Sequence, residues 1–144
     1  MSEYHVPVML EECLEGLAID PNGIYVDVTF GGGGHSRAIV EKLDGGHLYA
    51  FDQDADAVNN AADFDSEKFT LIEANFRHLK RYLRLHGVTK VDGILADLGV
   101  SSHQIDTAER GFSTRKNGAL DMRMDTSKGA SAKDVLQNYA EEDI

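Results

Sequence analysis

The sequence is poor in the features of secreted, disulfide-bonded or membrane-spanning proteins. Its 144 residues contain one cysteine, Cys13, which excludes an internal disulfide framework. No apolar run approaches the roughly 20 residues of a membrane-spanning helix, and the first residues lack the basic-then-apolar pattern of a secretory signal. We therefore expect a cytoplasmic protein with no membrane partner, in which Cys13 is buried as a small apolar side chain.

Positive charge is also scarce, which bears on possible partners. The chain has 14 Lys and Arg against 25 Asp and Glu, a net charge of −11, and this balance at first argues against a nucleic-acid partner. Residues 77–90 are the exception, since they contain five Lys or Arg, two His and no acid. This stretch is either a surface for phosphate contacts or the solvated face of an amphipathic helix.

What the chain does contain is an alternation of strand and helix patterns. Four segments rich in β-branched and aromatic residues are predicted strands, at 24–30, 47–51, 69–73 and 91–96. The spacing of apolar residues predicts helices at 8–17, 37–43, 54–62, 78–85 and, after a long irregular stretch, 132–139. Strands separated by single helices predict an α/β, doubly wound parallel sheet of Rossmann-like type. Because such sheets usually have more than four strands, we expect this one to be truncated after the fourth.

Four consecutive glycines, Gly31–Gly34, follow the first strand directly. A strand, a glycine turn and a helix bring backbone close to a nucleoside-type cofactor, because side chains there would block the approach. In the dinucleotide fingerprint the third small residue would fall on Ser36 or Arg37, which is a poor fit. The spacing from Asp27 to the glycines instead resembles the first motif of class I S-adenosylmethionine-dependent methyltransferases. The remaining alternative is a flexible turn that binds no ligand.

Other candidate residues follow the ends of the later strands, where ligands bind in open parallel sheets. Asp52 lies 21 residues after Gly31 and is either an acceptor for ribose hydroxyls or a helix cap. Phe76 either stacks on adenine or belongs to the core. Asp97 ends the fourth strand and opens a polar loop, where it is an active-site residue or part of the turn.

Six segments of the chain occur in the order of one known family. They are HVPVML (5–10), TFGGGGHS (29–36), DLGVSS (97–102), QID (104–106), ERGFS (109–113) and LDMRMD (120–125). On these segments the chain resembles the RsmH/MraW family, which methylates the 4-amino group of a cytosine in 16S ribosomal RNA of the small ribosomal subunit. The resemblance implies the class I methyltransferase fold and S-adenosyl-L-methionine as cofactor, with no metal and no DNA partner expected.

The resemblance also implies a set of cofactor-binding residues. The matching positions are Gly33, Gly34, His35, Asp52, Phe76, Asp97 and Gln104. No residue is assigned as the catalytic base, because the chain has Asp97-Leu98-Gly99-Val100 where other amino-methyltransferases place Asp/Asn-Pro-Pro-aromatic. The sequence gives no information on oligomeric state.

The family's members are roughly twice as long, so the chain resembles an N-terminal portion. We expect a cofactor-binding part at 1–100, and at 101–144 an active-site loop with the start of an inserted helical domain for substrate recognition. The candidate phosphate contacts in this second part are Arg110, Arg115, Lys116 and Arg123. Ion pairing with nearby acids is the alternative. An alternative for the whole chain is a truncated cofactor-binding module without turnover.

Overall fold

The computed structural model describes residues 7–100 and 102–144. His5, Val6 and Ser101, which contribute to the family resemblance, lie outside these ranges. The chain divides into two compact units, the first ending at Leu98 and the second beginning at Gly99.

The first unit is built on a four-stranded parallel sheet. Its strands are β1 (Ile24–Asp27), β2 (His47–Phe51), β3 (Phe69–Ile72) and β4 (Gly93–Leu95), in the spatial order β3-β2-β1-β4. The chain leaves β1 towards β2 and β3 on one side and returns to place β4 on the other. The predicted α/β, Rossmann-like architecture is therefore confirmed.

One helix precedes the first strand and helices connect the strands, as predicted, although their bounds differ from the predicted ones. The helices are α1 (Leu10–Leu17), α2 (Gly34–Glu41), α3 (Val58–Ala61) and α4 (Leu79–Leu85). Single 3-10 turns at Ala55–Ala57 and Phe76–His78 lead into α3 and α4. None of the helices in the described part of the chain is long and apolar enough to span a membrane.

Apolar side chains on the two faces of the sheet form two separate clusters. One cluster joins Tyr25, Leu48 and Ile39 and is covered by α1 and α2. The other joins Val26 and Phe51 to Leu83 of α4 and Val88. Cys13 is only partly buried and packs against the first cluster, so the prediction of a buried cysteine is only partly correct.

The largest local difference from prediction lies around the glycine turn. The first strand ends at Asp27 instead of residue 30, and α2 begins at Gly34 instead of residue 37. The strand ends early because the Asp27 carboxylate accepts hydrogen bonds from the backbone and hydroxyl of Thr29, which turns the chain. The helix begins early because Gly33, at φ +83°, takes the N-cap position. The sequence did not predict this first turn of the helix, because glycine has a low helix propensity.

The described residues of the second unit form two α-helices, α5 (Ser102–Asp106) and α6 (Ala132–Asn138), and two 3-10 turns, at Ala108–Arg110 and Glu141–Asp143. Helix α5 was not predicted, because five residues are too few to show a helical period. The predicted cap of α6 is confirmed, since Ser131 and Asp134 form a reciprocal capping box.

Candidate functional site

The site is organised around Asp27, which ends β1 and is 1% exposed. Its Oδ1 accepts the Thr29 N–H at 2.9 Å, and its Oδ2 accepts the Ser36 hydroxyl at 2.8 Å. One carboxylate therefore ties the strand to the turn and to the first turn of α2. Burial raises the pKa of Asp27, and the bonds from Thr29 and Ser36 oppose this rise.

This raised pKa predicts a pH dependence of stability. The folded protein binds the Asp27 proton more tightly than the unfolded chain, so the free energy of unfolding falls as pH rises from 3.8 through the higher folded pKa. In Asp27→Asn this contribution disappears, and the stability of the variant relative to the native chain rises across that interval. Urea unfolding at a series of pH values measures the difference.

Asp27→Ala is the control for the lost hydrogen bonds. It leaves the Thr29 N–H and the Ser36 hydroxyl without their acceptor, so we expect Asp27→Ala to be less stable than Asp27→Asn by about 1–3 kcal/mol at every pH. Parallel pH profiles of the native chain and Asp27→Asn would contradict the assignment of a raised pKa.

The fold requires the absence of a side chain at some glycines of the turn and not at others. A Cβ on Gly33 would lie 3.0 Å from the Phe30 ring, and its φ of +83° disfavours any side chain. A Cβ on Gly34 would clash with Pro7. Gly32 is exposed, has no positive φ, and a Cβ there would meet nothing within 4 Å. The fold itself therefore does not require the absence of a side chain at Gly32.

His35, in the first turn of α2, connects two other parts of the site. It is buried, with its Nε2 donating to the Val8 carbonyl at 3.1 Å, since a carbonyl can only accept. Its Nδ1 lies 3.9 Å from Oδ2 of Asp97. The Asp97 backbone N–H donates to Thr29 Oγ1 at 2.7 Å, and its side chain is 53% exposed. Asp97 is thus anchored through its backbone, while its carboxylate faces solvent beside His35.

Asp52, directly after β2, is bonded to the glycine turn. Its Oδ2 accepts the Gly31 N–H at 2.8 Å, and its Oδ1 accepts the Asp54 N–H at 2.9 Å. The N-cap of the following 3-10 turn is Asp54, not Asp52, because the Asp54 side chain accepts a hydrogen bond from the Asp56 N–H. Asp52 therefore lies where the glycine turn meets the end of the second strand. Both of these features are predicted to contact a cofactor.

Phe76 follows β3 and is 45% exposed. The alternative that it belongs to the core is therefore wrong. The Asn75 side chain accepts from the Arg77 N–H and starts the 3-10 turn that carries Phe76. An exposed ring at a strand end is available for stacking.

Gln104 is buried within α5, in the second unit. Its predicted cofactor contact stays a prediction.

In the same unit Arg123 pairs with Asp121 at 2.8 Å and lowers the pKa of that carboxyl to about 2. Lys116 lies 4.0 Å from Asp106. For Arg123 and Lys116 the ion-pairing alternative is therefore the one observed.

Arg110 is also in the second unit and is buried there. Its guanidinium donates to the carbonyls of Arg123 and Met124 at 3.0 Å each. These contacts make it a structural residue of the segment, not an exposed phosphate ligand.

Two residues of the site, Asn60 and Ser36, were not among the predicted site residues. Asn60 of α3 donates to the Gly31 carbonyl at 3.1 Å, so Asp52 and Asn60 hold both polar groups of one glycine. Ser36 is fully buried against Asp27. It fills the place of the third small residue in the dinucleotide fingerprint, so the turn alone does not distinguish the two cofactor classes.

Among the described residues, no group of three His, Cys, Asp or Glu is arranged to hold a metal ion.

The chain was compared with known proteins by sequence and by structure. The MraW methylase family matches residues 2–144. A protein of Cytophaga hutchinsonii named Ribosomal RNA small subunit methyltransferase H is 66% identical over 138 residues, which cover 96% of this chain and 46% of that protein. Its namesake in Porphyromonas gingivalis is 60% identical over 140 residues, covering 96% of this chain and 44% of its own length. The chain thus spans about half the length of the curated relatives it matches.

Among solved structures, an rRNA methylase from Streptococcus thermophilus matches with a TM-score of 0.43 and 25% identity. The match covers 58% of this chain and 51% of that one.

Proposed function

The chain belongs to the MraW methylase family, and on that basis we propose that it forms the cofactor-binding part of an S-adenosylmethionine-dependent rRNA methyltransferase. The reaction proposed is methylation of the N4 amine of a cytosine in 16S ribosomal RNA of the small subunit. The names of the relatives support an rRNA substrate, and the six matching segments support the cytosine-specific reaction. The proposed location is the cytoplasm, where the substrate is made.

The observation that best supports a cofactor here is the junction of Asp52 with the glycine turn. The Asp52 carboxylate, an acceptor only, is bonded to the Gly31 N–H at 2.8 Å, beside the exposed Gly32. A nucleoside has the complementary groups, because its ribose hydroxyls donate hydrogen bonds and its sugar needs close approach to backbone. The residues present therefore fit S-adenosylmethionine.

The proposed roles follow from these positions. Asp52 accepts hydrogen bonds from the ribose hydroxyls, Phe76 offers its exposed ring to adenine, and the turn with Gly33, Gly34 and His35 forms the surface below the ligand. Asp97 and Gln104 are proposed as further cofactor contacts. The cofactor, when bound, supplies a methyl group already activated by positive sulfur. The chain's contribution is then alignment of cofactor and acceptor amine, and no side chain is assigned as a general base.

Gly32→Ala tests the proposed close approach without disturbing the fold. We expect the free energy of unfolding to change by less than about 1 kcal/mol, because the backbone and the space both accept a methyl group. We expect the dissociation constant for S-adenosylhomocysteine to rise about tenfold or more, because overpacking a filled site costs about 1–3 kcal/mol. Urea unfolding and calorimetric titration measure the two effects. Unchanged affinity would remove Gly32 from the ligand's path.

Methyl transfer itself is tested on unmethylated small ribosomal subunits. Incubation with S-adenosylmethionine followed by mass spectrometry of the nucleosides should reveal N4-methylcytidine. A methyl group on another base would contradict the proposed reaction. Saturable cofactor binding without transfer would favour the alternative, a binding module without turnover, since the chain covers less than half of each of these relatives.

A further inference from the structure

Four cations occur within residues 77–84, in the segment that carries α4. Lys80, Arg81 and Arg84 share one face of α4, and Arg77 lies in the 3-10 turn that leads into the helix. All four are exposed. On the opposite face Leu83 is buried, with Leu79 and Tyr82 packed beside it against the sheet. We call these four cations the basic stripe.

The basic stripe is distinguished by the clustering of its cations without counter-ions. Among the described residues five other cations also form no ion pair, but they are separated along the chain: Lys42, Lys68, Lys90, Arg115 and Lys133. Arg37, Lys116, Arg123 and Lys128 each form an ion pair with an Asp. No ion pair joins any member of the stripe to a residue in the described ranges 7–100 and 102–144. No acid occurs in the sequence from residue 77 to residue 90 that could supply one locally.

This arrangement is unfavourable for the helix by itself. Like charges at i, i+3 and i, i+4 destabilise a helix by about 0.2–0.5 kcal/mol per pair, and α4 contains two such pairs, Arg81–Arg84 and Lys80–Arg84. Lys80 also lies in the first turn of α4, where the helix dipole disfavours a cation. An external anion would relieve both effects.

The stripe also has a defined position relative to the candidate site. Arg77 directly follows Phe76 at the carboxyl edge of the sheet, and α4 runs from there across the sheet face opposite α1 and α2. At 1.5 Å rise per residue the four cations extend over about 10 Å, roughly three nucleotide steps of 3.4 Å. A nucleic-acid strand on the stripe would therefore have one end beside the proposed cofactor site.

We propose that the basic stripe docks the phosphate backbone of the RNA substrate. This inference rests on the proposed function, which provides the RNA. The net charge of −11 repels RNA from the protein as a whole, so a local row of unpaired cations determines where a strand can lie. Arginine, which makes up three of the four residues, binds phosphate oxygens in a bidentate manner. Such contacts fix position without reading sequence.

The test compares two triple variants of equal charge. Lys80→Gln/Arg81→Gln/Arg84→Gln neutralises the stripe and leaves Arg77, next to Phe76, in place. Lys42→Gln/Lys68→Gln/Lys133→Gln removes three charges elsewhere and is the matched control. Fluorescence anisotropy with a short labelled single-stranded RNA, at a series of salt concentrations, measures RNA affinity. Titration with S-adenosylhomocysteine measures the cofactor site in the same preparations.

We expect the stripe variant to lose RNA affinity about tenfold or more at low salt. The slope of log affinity against log salt should fall by about 2, since each phosphate contact to a single strand contributes about 0.7. The control variant should keep most of its affinity and its slope. Cofactor affinity should be equal in all three proteins. The stripe variant should unfold at the same or a higher urea concentration, because like-charge repulsion is removed.

Several results would overturn the inference. An unchanged slope in the stripe variant, equal losses in both variants, or no RNA binding by the native chain would each do so. Phosphatidylserine vesicles that bind as tightly as RNA, with the same loss in the stripe variant, would assign the stripe to a lipid surface instead. Failure of all three proteins to bind S-adenosylhomocysteine would count against the proposed function, independently of the RNA result.

Discussion

Gly33→Val is expected to abolish cofactor binding and to destabilise the first unit by about 2–5 kcal/mol. The residue has φ +83°, which costs a β-branched side chain about 1–2 kcal/mol. Its Cβ would lie 3.0 Å from the ring of Phe30 and 3.4 Å from that of Phe64. Phe30 has little room to move aside, because it is 3% exposed and its ring packs against those of Phe64 and Phe69, whose centroids are 4.2 Å apart. Urea unfolding measures the stability loss, and calorimetric titration with S-adenosylhomocysteine measures binding.

Gly33→Ala and Gly32→Ala are the matched controls for this prediction. Gly33→Ala has the same backbone strain with less bulk, so its loss of stability should be intermediate. Gly32→Ala introduces the same methyl group one residue earlier, where backbone and space accept it. Native stability and native affinity in Gly33→Val would show that the turn does not have the described geometry.

Asp52→Ala is expected to weaken S-adenosylhomocysteine binding by about 1–3 kcal/mol, roughly 5- to 150-fold. The substitution removes the proposed acceptor of the ribose hydroxyls. It also removes the partner of the Gly31 N–H at 2.8 Å, so the turn itself becomes less ordered. Calorimetric titration at constant pH and salt gives the change in dissociation constant.

Asp54→Ala separates the ligand effect from a general loss of structure. Asp54 is 6% exposed and caps the 3-10 turn after β2, so its loss should cost about 1 kcal/mol of stability. Cofactor affinity in Asp54→Ala should stay close to native once the protein is folded. Equal loss of affinity in both variants would mean that Asp52 acts through the fold, not through the ligand.

The parts of the site that were predictable from sequence are those encoded by local pattern. The glycine run after the first strand is visible in the sequence, as are the acids after the second and fourth strands, Asp52 and Asp97, because the end of a strand is a local pattern. The parallel sheet follows from the alternation of strands and helices. Exposure of Phe76 was left open, because a single aromatic residue at a strand end has no periodic neighbours to decide it.

The parts that were not predictable depend on contacts between residues distant in sequence. Asn60 reaches the carbonyl of Gly31, 29 residues earlier. Pro7 lies against Gly34 and makes a side chain there impossible. The sequence identified Asp27 only through its spacing to the glycine run. Its role in joining strand, turn and helix depends on Ser36 being buried against it. Such long-range contacts are products of the whole packed unit, and no local pattern encodes them.

The central claim is that this chain builds an S-adenosylmethionine site from the glycine turn and Asp52. The most direct test is calorimetric titration of the 144-residue chain with S-adenosylhomocysteine, and with NAD as the control ligand. We predict saturable binding of S-adenosylhomocysteine and no binding of NAD. Binding of NAD in preference, or no binding of either ligand by a chain that circular dichroism shows to be folded, would contradict the claim.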